Sequence, residues 1–305
     1  MQTSTPPRPA LPATETASRR FREIESWPAA DVLLAIWEGQ LAAVAAVRAA
    51  LPAIESAAGA ALPRLAGGGR LVYAGAGTSG RIGVQDGAEL PPTFDWPEDR
   101  LVLLMAGGAA AFTRSLENAE DDGAAARRDV AAHGIGAGDV AIGIAASGST
   151  PYTTAVIEEC ARRGALTIGI ANSPGGALLA AADCPILVET GAEIIAGSTR
   201  MKAGTAQKVV LNLFSTLVMV RLGRVHRGLM IDMNARNAKL RQRAVRMLRD
   251  LTGQDDETVR AALAAAGGRV KTAVLVLRGL DEAAADSLLA EHGGHLHAAL
   301  AALGA

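Results

Sequence analysis

Two short turns, Gly75-Ala76-Gly77-Thr78-Ser79-Gly80-Arg81 and Ala146-Ser147-Gly148-Ser149-Thr150-Pro151, carry the residue types best suited to holding an anion. Each directly follows an apolar, strand-like run: Leu71-Val72-Tyr73-Ala74 before the first, Val140-Ala141-Ile142-Gly143-Ile144 before the second. A helix is expected after each turn. Backbone N–H groups at a helix start lack intrahelical partners and carry partial positive charge, so a phosphate seated there needs few cationic side chains. Glycine lets the backbone come close, and Ser and Thr add hydroxyl donors. The binding set read from the turns is Thr78, Ser79, Ser147, Ser149 and Thr150, with the backbone around Gly77, Gly80 and Gly148. Helix N-capping is the plain alternative for the hydroxyls, and one residue can do both.

Two carboxyl groups are candidates for proton transfer. Glu89 precedes Leu90-Pro91-Pro92, an apolar and rigid stretch where desolvation would favour the neutral form and suit a general acid. Glu120 is followed by Asp121 and Asp122, whose like charges would raise its pKa. Taken alone, a Glu in an Ala-rich stretch is more often a solvated helix residue. Arg200 and Lys202, in Ser198-Thr199-Arg200-Met201-Lys202, are cations that either bind anionic groups or form surface ion pairs.

The elements that must position these groups follow from periodicity. Five strand-like runs, at 71–74, 101–105, 140–144, 166–171 and 185–188, alternate with helical segments. That order predicts an α/β fold with a doubly wound, mainly parallel five-stranded sheet, whose ligand crevice lies at the carboxyl ends of the strands, where both glycine turns fall. Upstream, Leu33, Leu34, Ile36, Trp37, Leu41, Val44, Val47, Leu51 and Ile54 recur mostly at three- and four-residue steps and predict amphipathic helices packed on a core. The segment 198–223 reads as a core helix, and the chain from Asn237 as a small helical bundle punctuated by Gly253, Gly267-Gly268, Gly279 and Gly293-Gly294. Within that bundle 270–277 fits a strand as well as a helix. The expected domains are a flexible lead with N-terminal helices (1–60), an α/β domain carrying both turns (61–224) and a C-terminal helical domain (225–305).

Composition narrows the function classes. With 305 residues, half of them hydrophobic, the chain can bury a substantial core. A net charge of −1 without like-charge blocks gives no electrostatic footprint for nucleic acid or an anionic membrane. Apolar runs such as 41–51 read as too short or too interrupted to span a bilayer, and the Pro- and Thr-rich start lacks a secretory pattern, so a cytoplasmic protein is expected. Cys160 and Cys184 read as reduced core thiols, and no His or Cys spacing calls for a functional metal, although the run from His292 to His297 could take up an adventitious one.

Taken together with Ala88-Glu89-Leu90-Pro91-Pro92-Thr93-Phe94, Glu117-Asn118-Ala119-Glu120-Asp121 and the stretch from Gly197 to Lys208, the two turns closely resemble the N-acetylmuramic acid 6-phosphate etherases. The similarity runs from about Thr14 to the C-terminal helices. The resemblance implies a sugar-isomerase-type phosphosugar domain and a homodimer in the bacterial cytoplasm with no metal or organic cofactor. Its implied reaction is cleavage of a lactyl ether to N-acetylglucosamine 6-phosphate and D-lactate, with a place in peptidoglycan recycling. It also implies Glu89 as the acid at carbon 3 and Glu120 as the base at carbon 2. Arg200 and Lys202 would then face anionic groups such as the lactyl carboxylate, and Glu193 would assist ring opening or bind a hydroxyl. Three positions depart from the family pattern: Ser18 and Arg236 stand where Asn and Thr are usual, and Asp95 where Gly is usual, which leaves the loop after Phe94 open. Two rivals stay in view: an aldose-ketose isomerase, which has no use for a second acid at carbon 3, and a sugar-phosphate sensor resembling the glucokinase regulatory protein.

Overall fold

The computed structural model describes residues 12–116, 118–233 and 238–304; most of the lead up to Pro12, as well as Glu117, Arg236 and Asn237, lie outside the described residues. In chain order, α1 (Ala29–Ala46) and α2 (Leu51–Ala66) precede β1 (Leu71–Gly75) and α3 (Gly77–Ala88). The short α4 (Leu90–Phe94) leads to β2 (Leu101–Met105), α5 (Gly123–Ala132), β3 (Val140–Ala145), α6 (Pro151–Arg162), β4 (Leu166–Ala171), α7 (Ala177–Ala181), β5 (Cys184–Leu187) and α8 (Lys202–Arg221). A hairpin of β6 (Val225–His226) and β7 (Leu229–Met230) follows. The chain ends in α9 (Ala238–Thr252), α10 (Asp256–Ala265), α11 (Val270–Val276), α12 (Glu282–Glu291) and α13 (Leu296–Ala302). The backbone forms two compact units. One takes in the chain up to Gly87 together with Leu101–Phe214, the other Ala88–Arg100 together with the chain from Ser215 onward.

In the first unit the sheet runs β2-β1-β3-β4-β5, with every neighbouring pair parallel. Strands β1, β3 and β4 are buried at every residue, as an apolar run covered on both faces must be. This is the doubly wound sheet expected from the sequence. From β1 the chain moves first to one side, to β2, and then to the other, to β3. The carboxyl ends of β1 and β3 therefore flank the point where strand order reverses. Gly75 pairs in register with Ile144, so the two glycine turns leave the sheet side by side. Beneath one face, Val72, Val102, Leu104, Val130, Ile135, Tyr152 and Val156 form a core, where each large apolar side chain contributes about 1.5–3 kcal/mol. Cys160 is buried in it, and burial pushes its thiol up to about 12.

The N-terminal helices depart from expectation. The apolar stripe divides between two helices. α2 buries Ile54, Ala57, Ala58, Ala61 and Leu65 and packs on β3, β4 and β5, whereas α1 leaves Leu33, Leu34, Trp37, Leu41 and Val44 exposed, Leu33 at 67% and Trp37 at 59%. Periodicity finds an apolar face but does not say whether this chain covers it. The run 41–51, read as too short to span a bilayer, lies within a helical stretch, 29–66, that is long and apolar enough to cross one, as is α8. Most of α8 is buried, as a core helix passing the same length test is.

The second unit contains a tandem repeat. The separation of Asp255 from Asp281 recurs between Gly267-Gly268 and Gly293-Gly294 and between Val270 and Leu296. Each half is an Asp-capped helix, a Gly-Gly stop and a shorter helix. Asp255 accepts from the N–H groups of Glu257 and Thr258, and Asp281 from that of Ala284 at 2.8 Å. Val259, Leu263, Val270 and Ala273 in the first half match Ala285, Leu289, Leu296 and Ala299 in the second, and all are buried in one cluster. The segment 270–277, ambiguous in sequence, is helical over Val270–Val276.

Candidate active site

At the carboxyl ends of β1 and β2 a cleft of about 380 Å³ is lined by Gly77, Arg81, Met105, Arg114, Asn118 and Glu120, among others. It brings the first glycine turn and one of the two expected proton-transfer groups onto one surface. The turn is tight because a Cβ on Gly75 would lie 2.7 Å from Gly80, and one on Gly80 would lie 2.4 Å from the Met105 sulfur. Only glycine at both positions lets α3 start this close to the strand end. The Gly80 N–H donates to the Ala76 carbonyl at 3.0 Å, so Gly80, expected as a phosphate ligand, serves packing and the turn itself. Thr78 is half-buried and Ser79 is buried.

Arg81 builds the opposite wall. Its guanidinium donates to the carbonyls of Ala111, Phe112 and Arg114 at 2.9–3.1 Å, pinning the turn that follows β2. Beyond that wall Asn118 adopts a left-handed conformation (φ 64°) and turns the chain into the single 3₁₀ turn Ala119–Asp121, which carries Glu120 exposed at the cleft. Asp122 accepts the Ala125 N–H at 2.8 Å and caps α5, which explains one of the acidic neighbours of Glu120. Arg81 and Asn118 stand inside motifs legible in the sequence, but their roles are not legible there, because an arginine bonding distant backbone carbonyls has no spacing signature; Arg114 stands outside those motifs.

In the second turn the Ser147 hydroxyl accepts the Ser149 N–H at 3.2 Å, and the Gly148 N–H donates to the Ala145 carbonyl at 3.0 Å. Thr150 occupies the N-cap position of α6 without making a side-chain cap bond, and Ser149 is exposed. The capping alternative therefore accounts for neither of these hydroxyls. Ser18, at the departure from the family pattern, accepts the Arg20 N–H at 3.2 Å and caps the turn Arg19–Phe21.

The cationic stretch divides as well. Arg200 is exposed outside the cleft lining. Lys202 Nζ donates to the Ala192 carbonyl at 2.8 Å, and burial pulls its pKa down against the opposing pull of Glu193. Glu193 is fully buried and accepts the N–H groups of Lys202 (3.0 Å) and Ala203 (2.9 Å), so its carboxylate caps the start of α8. Both side chains make bonds within the chain, at positions where the resemblance implies substrate contacts.

Glu89 belongs to the second unit, at the N-cap position of α4, and is exposed rather than desolvated. The apolar run after it buries Leu90 and leaves the Glu side chain outside. The loop after Phe94 is also resolved: Asp95 takes φ 51°, the left-handed conformation that glycine adopts freely and Asp tolerates. Among the described residues no three His, Cys, Asp or Glu side chains group as a metal site.

Residues 54–161 match the family model described as the glucokinase regulatory protein N-terminal SIS domain, and residues 111–217 match the SIS domain model. The chain is 50% identical over 283 residues to the N-acetylmuramic acid 6-phosphate etherase of Deinococcus radiodurans, covering 92% of this chain and 93% of that protein. It is 46% identical over 308 residues to the protein of that name from Streptomyces coelicolor, covering 98% and 99%. To that of Cronobacter sakazakii it is 42% identical over 288 residues, covering 94% and 97%. Identity at this level, sustained across almost the full length of each relative, means that the chain belongs to the N-acetylmuramic acid 6-phosphate etherase family.

Proposed function

We propose that this protein cleaves the D-lactyl ether of N-acetylmuramic acid 6-phosphate, giving N-acetylglucosamine 6-phosphate and D-lactate. The observation that carries the reading is that Gly77 of the first turn and Glu120 line one cleft at the strand ends, in a chain whose relatives bear the etherase name. The phosphate sits against the two turns, with Thr78, Ser79, Ser149 and Thr150 donating and the N–H groups at the starts of α3 and α6 supplying positive potential. In the open-chain sugar the carbonyl at carbon 1 acidifies the proton at carbon 2. Glu120 removes that proton, the electron pair forms the carbon 2–carbon 3 double bond, and the carbon 3–oxygen bond breaks. Glu89 supplies the proton taken up by the departing lactate oxygen. Water then adds across the double bond, its oxygen to carbon 3 and a proton to carbon 2. The sequence is redox-neutral, and two carboxyls suffice for its proton transfers.

The exposed face of α1 supports a homodimer, since Leu33, Leu34, Trp37, Leu41 and Val44 form an apolar stripe that a second copy would cover. A phosphosugar substrate fits a cytoplasmic enzyme. The test is release of D-lactate in H₂¹⁸O and, separately, D₂O. The expected sugar product carries ¹⁸O at carbon 3 and deuterium at carbon 2. Exchange at carbon 2 without lactate release would identify an isomerase, and binding without exchange or release would identify a sensor.

A further inference from the structure

Within the second unit, one guanidinium holds the short helix that begins beside Glu89. Arg224 Nη1 donates to the Phe94 carbonyl at 2.6 Å and the Asp95 carbonyl at 3.1 Å, both at the C-terminal end of α4. The guanidinium lies 5.1 Å from the centre of the Trp96 ring, whose indole Nε1–H donates to the Arg100 carbonyl at 3.0 Å. The same Nη1 pairs with Asp232 Oδ2 at 3.2 Å. Asp232 in turn receives Lys271 Nζ at 3.1 Å, and that ammonium donates onward to the Gly294 carbonyl at 2.9 Å. Phe94 and Asp95 are thereby tied through three charged side chains to both halves of the tandem repeat.

The hairpin makes the link rigid. Its two-residue turn, Arg227-Gly228, has φ of 49° and 76°, the double positive φ of the tight turn that matches strand twist. Ile231 and Asp232 N–H groups donate to the Arg224 carbonyl at 3.2 and 3.4 Å, so the returning strand brings Asp232 back beside Arg224. A five-residue helix cannot hold itself by its own hydrogen bonds. A cation at its C-terminal carbonyls both satisfies them and opposes the helix dipole. Glu89 stands at the other end, at the N-cap position, with no side-chain cap bond of its own. Its direction is therefore fixed by how α4 is held.

We propose that Arg224, braced by Asp232 and Lys271, is a positioning residue for Glu89, orienting it through α4. This rests on the reading of Glu89 as the proton donor. Arg224→Lys keeps the charge but ends one bond short of the Nη1 position that reaches both carbonyls, and it loses the planar group beside the Trp96 ring. A carboxyl misplaced by about an ångström loses roughly 100-fold in rate, so Arg224→Lys is expected to lower kcat for lactate release about 10- to 100-fold with KM within about twofold. In a Glu89→Gln background the same substitution is expected to cost nothing further, because its effect passes through Glu89. Lys271→Met, which removes the brace from the far end, should give a smaller loss of kcat with the same non-additivity, and it serves as the test if Arg224→Lys does not fold. If Glu89→Gln is slow but Arg224→Lys turns over at the wild-type rate, or lowers kcat equally in both backgrounds, the positioning role is overturned and the acid assignment stands. Wild-type kcat in Glu89→Gln would overturn both.

Discussion

The two ends of the five-stranded sheet treat their polar groups in opposite ways. Where the strands begin, charge is locked. Asp139 is 5% exposed and accepts Arg70 Nε at 3.0 Å, Arg70 Nη2 at 2.7 Å, and the N–H groups of Arg70 and Gly136. Burial pushes its carboxyl up, but those hydrogen bonds outweigh burial and hold it below the usual carboxylate range. Where the strands end, Glu120, Arg114 and Ser149 are exposed, and Thr150 leaves its capping bond unmade. A polar group whose every bond is met inside the chain holds the fold together. A row of polar groups left open at a switch point is what a ligand would complete.

The sharpest way to break that contrast is to neutralise one carboxylate at each end. Glu120→Gln is expected to lower kcat for lactate release by about 10²- to 10⁴-fold, with the melting temperature unchanged because Glu120 is exposed; a full-rate variant would remove it from the chemistry. Asp139→Asn is expected to do the reverse, costing about 2 kcal/mol in urea unfolding with kcat per folded molecule intact. The loss is smaller than the roughly 3–5 kcal/mol of a fully buried pair because the Arg70 side chain remains 27% exposed. The sign with pH follows from the lowered pKa. The stabilisation is present above the unfolded-state pKa of about 3.9 and lost as pH falls through the folded one, so the gap between wild type and Asp139→Asn should close below about pH 4. A gap independent of pH would mean that the ion pair is not its source.

The same contrast marks what could be read beforehand. β4 was legible because a run buried on both faces must be apolar throughout, and Leu166–Ala171 has the bounds of its apolar run; Leu101–Met105 also has the bounds of its run, although Leu101 and Leu103 are only half-buried. The glycine turns were legible because close approach demands a missing Cβ, as the Gly75–Gly80 contact does. Side chains that act on distant backbone were not. Glu193 caps a helix nine residues further on, and Arg224 reaches carbonyls at positions 94 and 95; neither bond leaves a local pattern. Exposure was equally hidden. Glu89 and the apolar stripe of α1 both read as buried, because hydrophobic neighbours in sequence do not fix which side of a helix the chain itself covers.

Glu193 and Lys202 sharpen the comparison most finely, since they lie beyond the strand ends yet have their bonds met inside the chain. If satisfied groups hold the fold wherever they occur, Glu193→Gln should cost about 1 kcal/mol by weakening the α8 cap. Gln keeps one carbonyl acceptor but loses the charge that faces two N–H groups. Lys202→Met should have the smallest effect of all, with KM for the sugar phosphate within about twofold of wild type. Its ammonium is engaged with the Ala192 carbonyl, and a thioether of similar length replaces the stem. A tenfold rise in KM would mean that Lys202 leaves that carbonyl when the anion arrives. Its lowered pKa would then report a cation held in reserve for substrate, and the division between the two ends of the sheet would fail at this position.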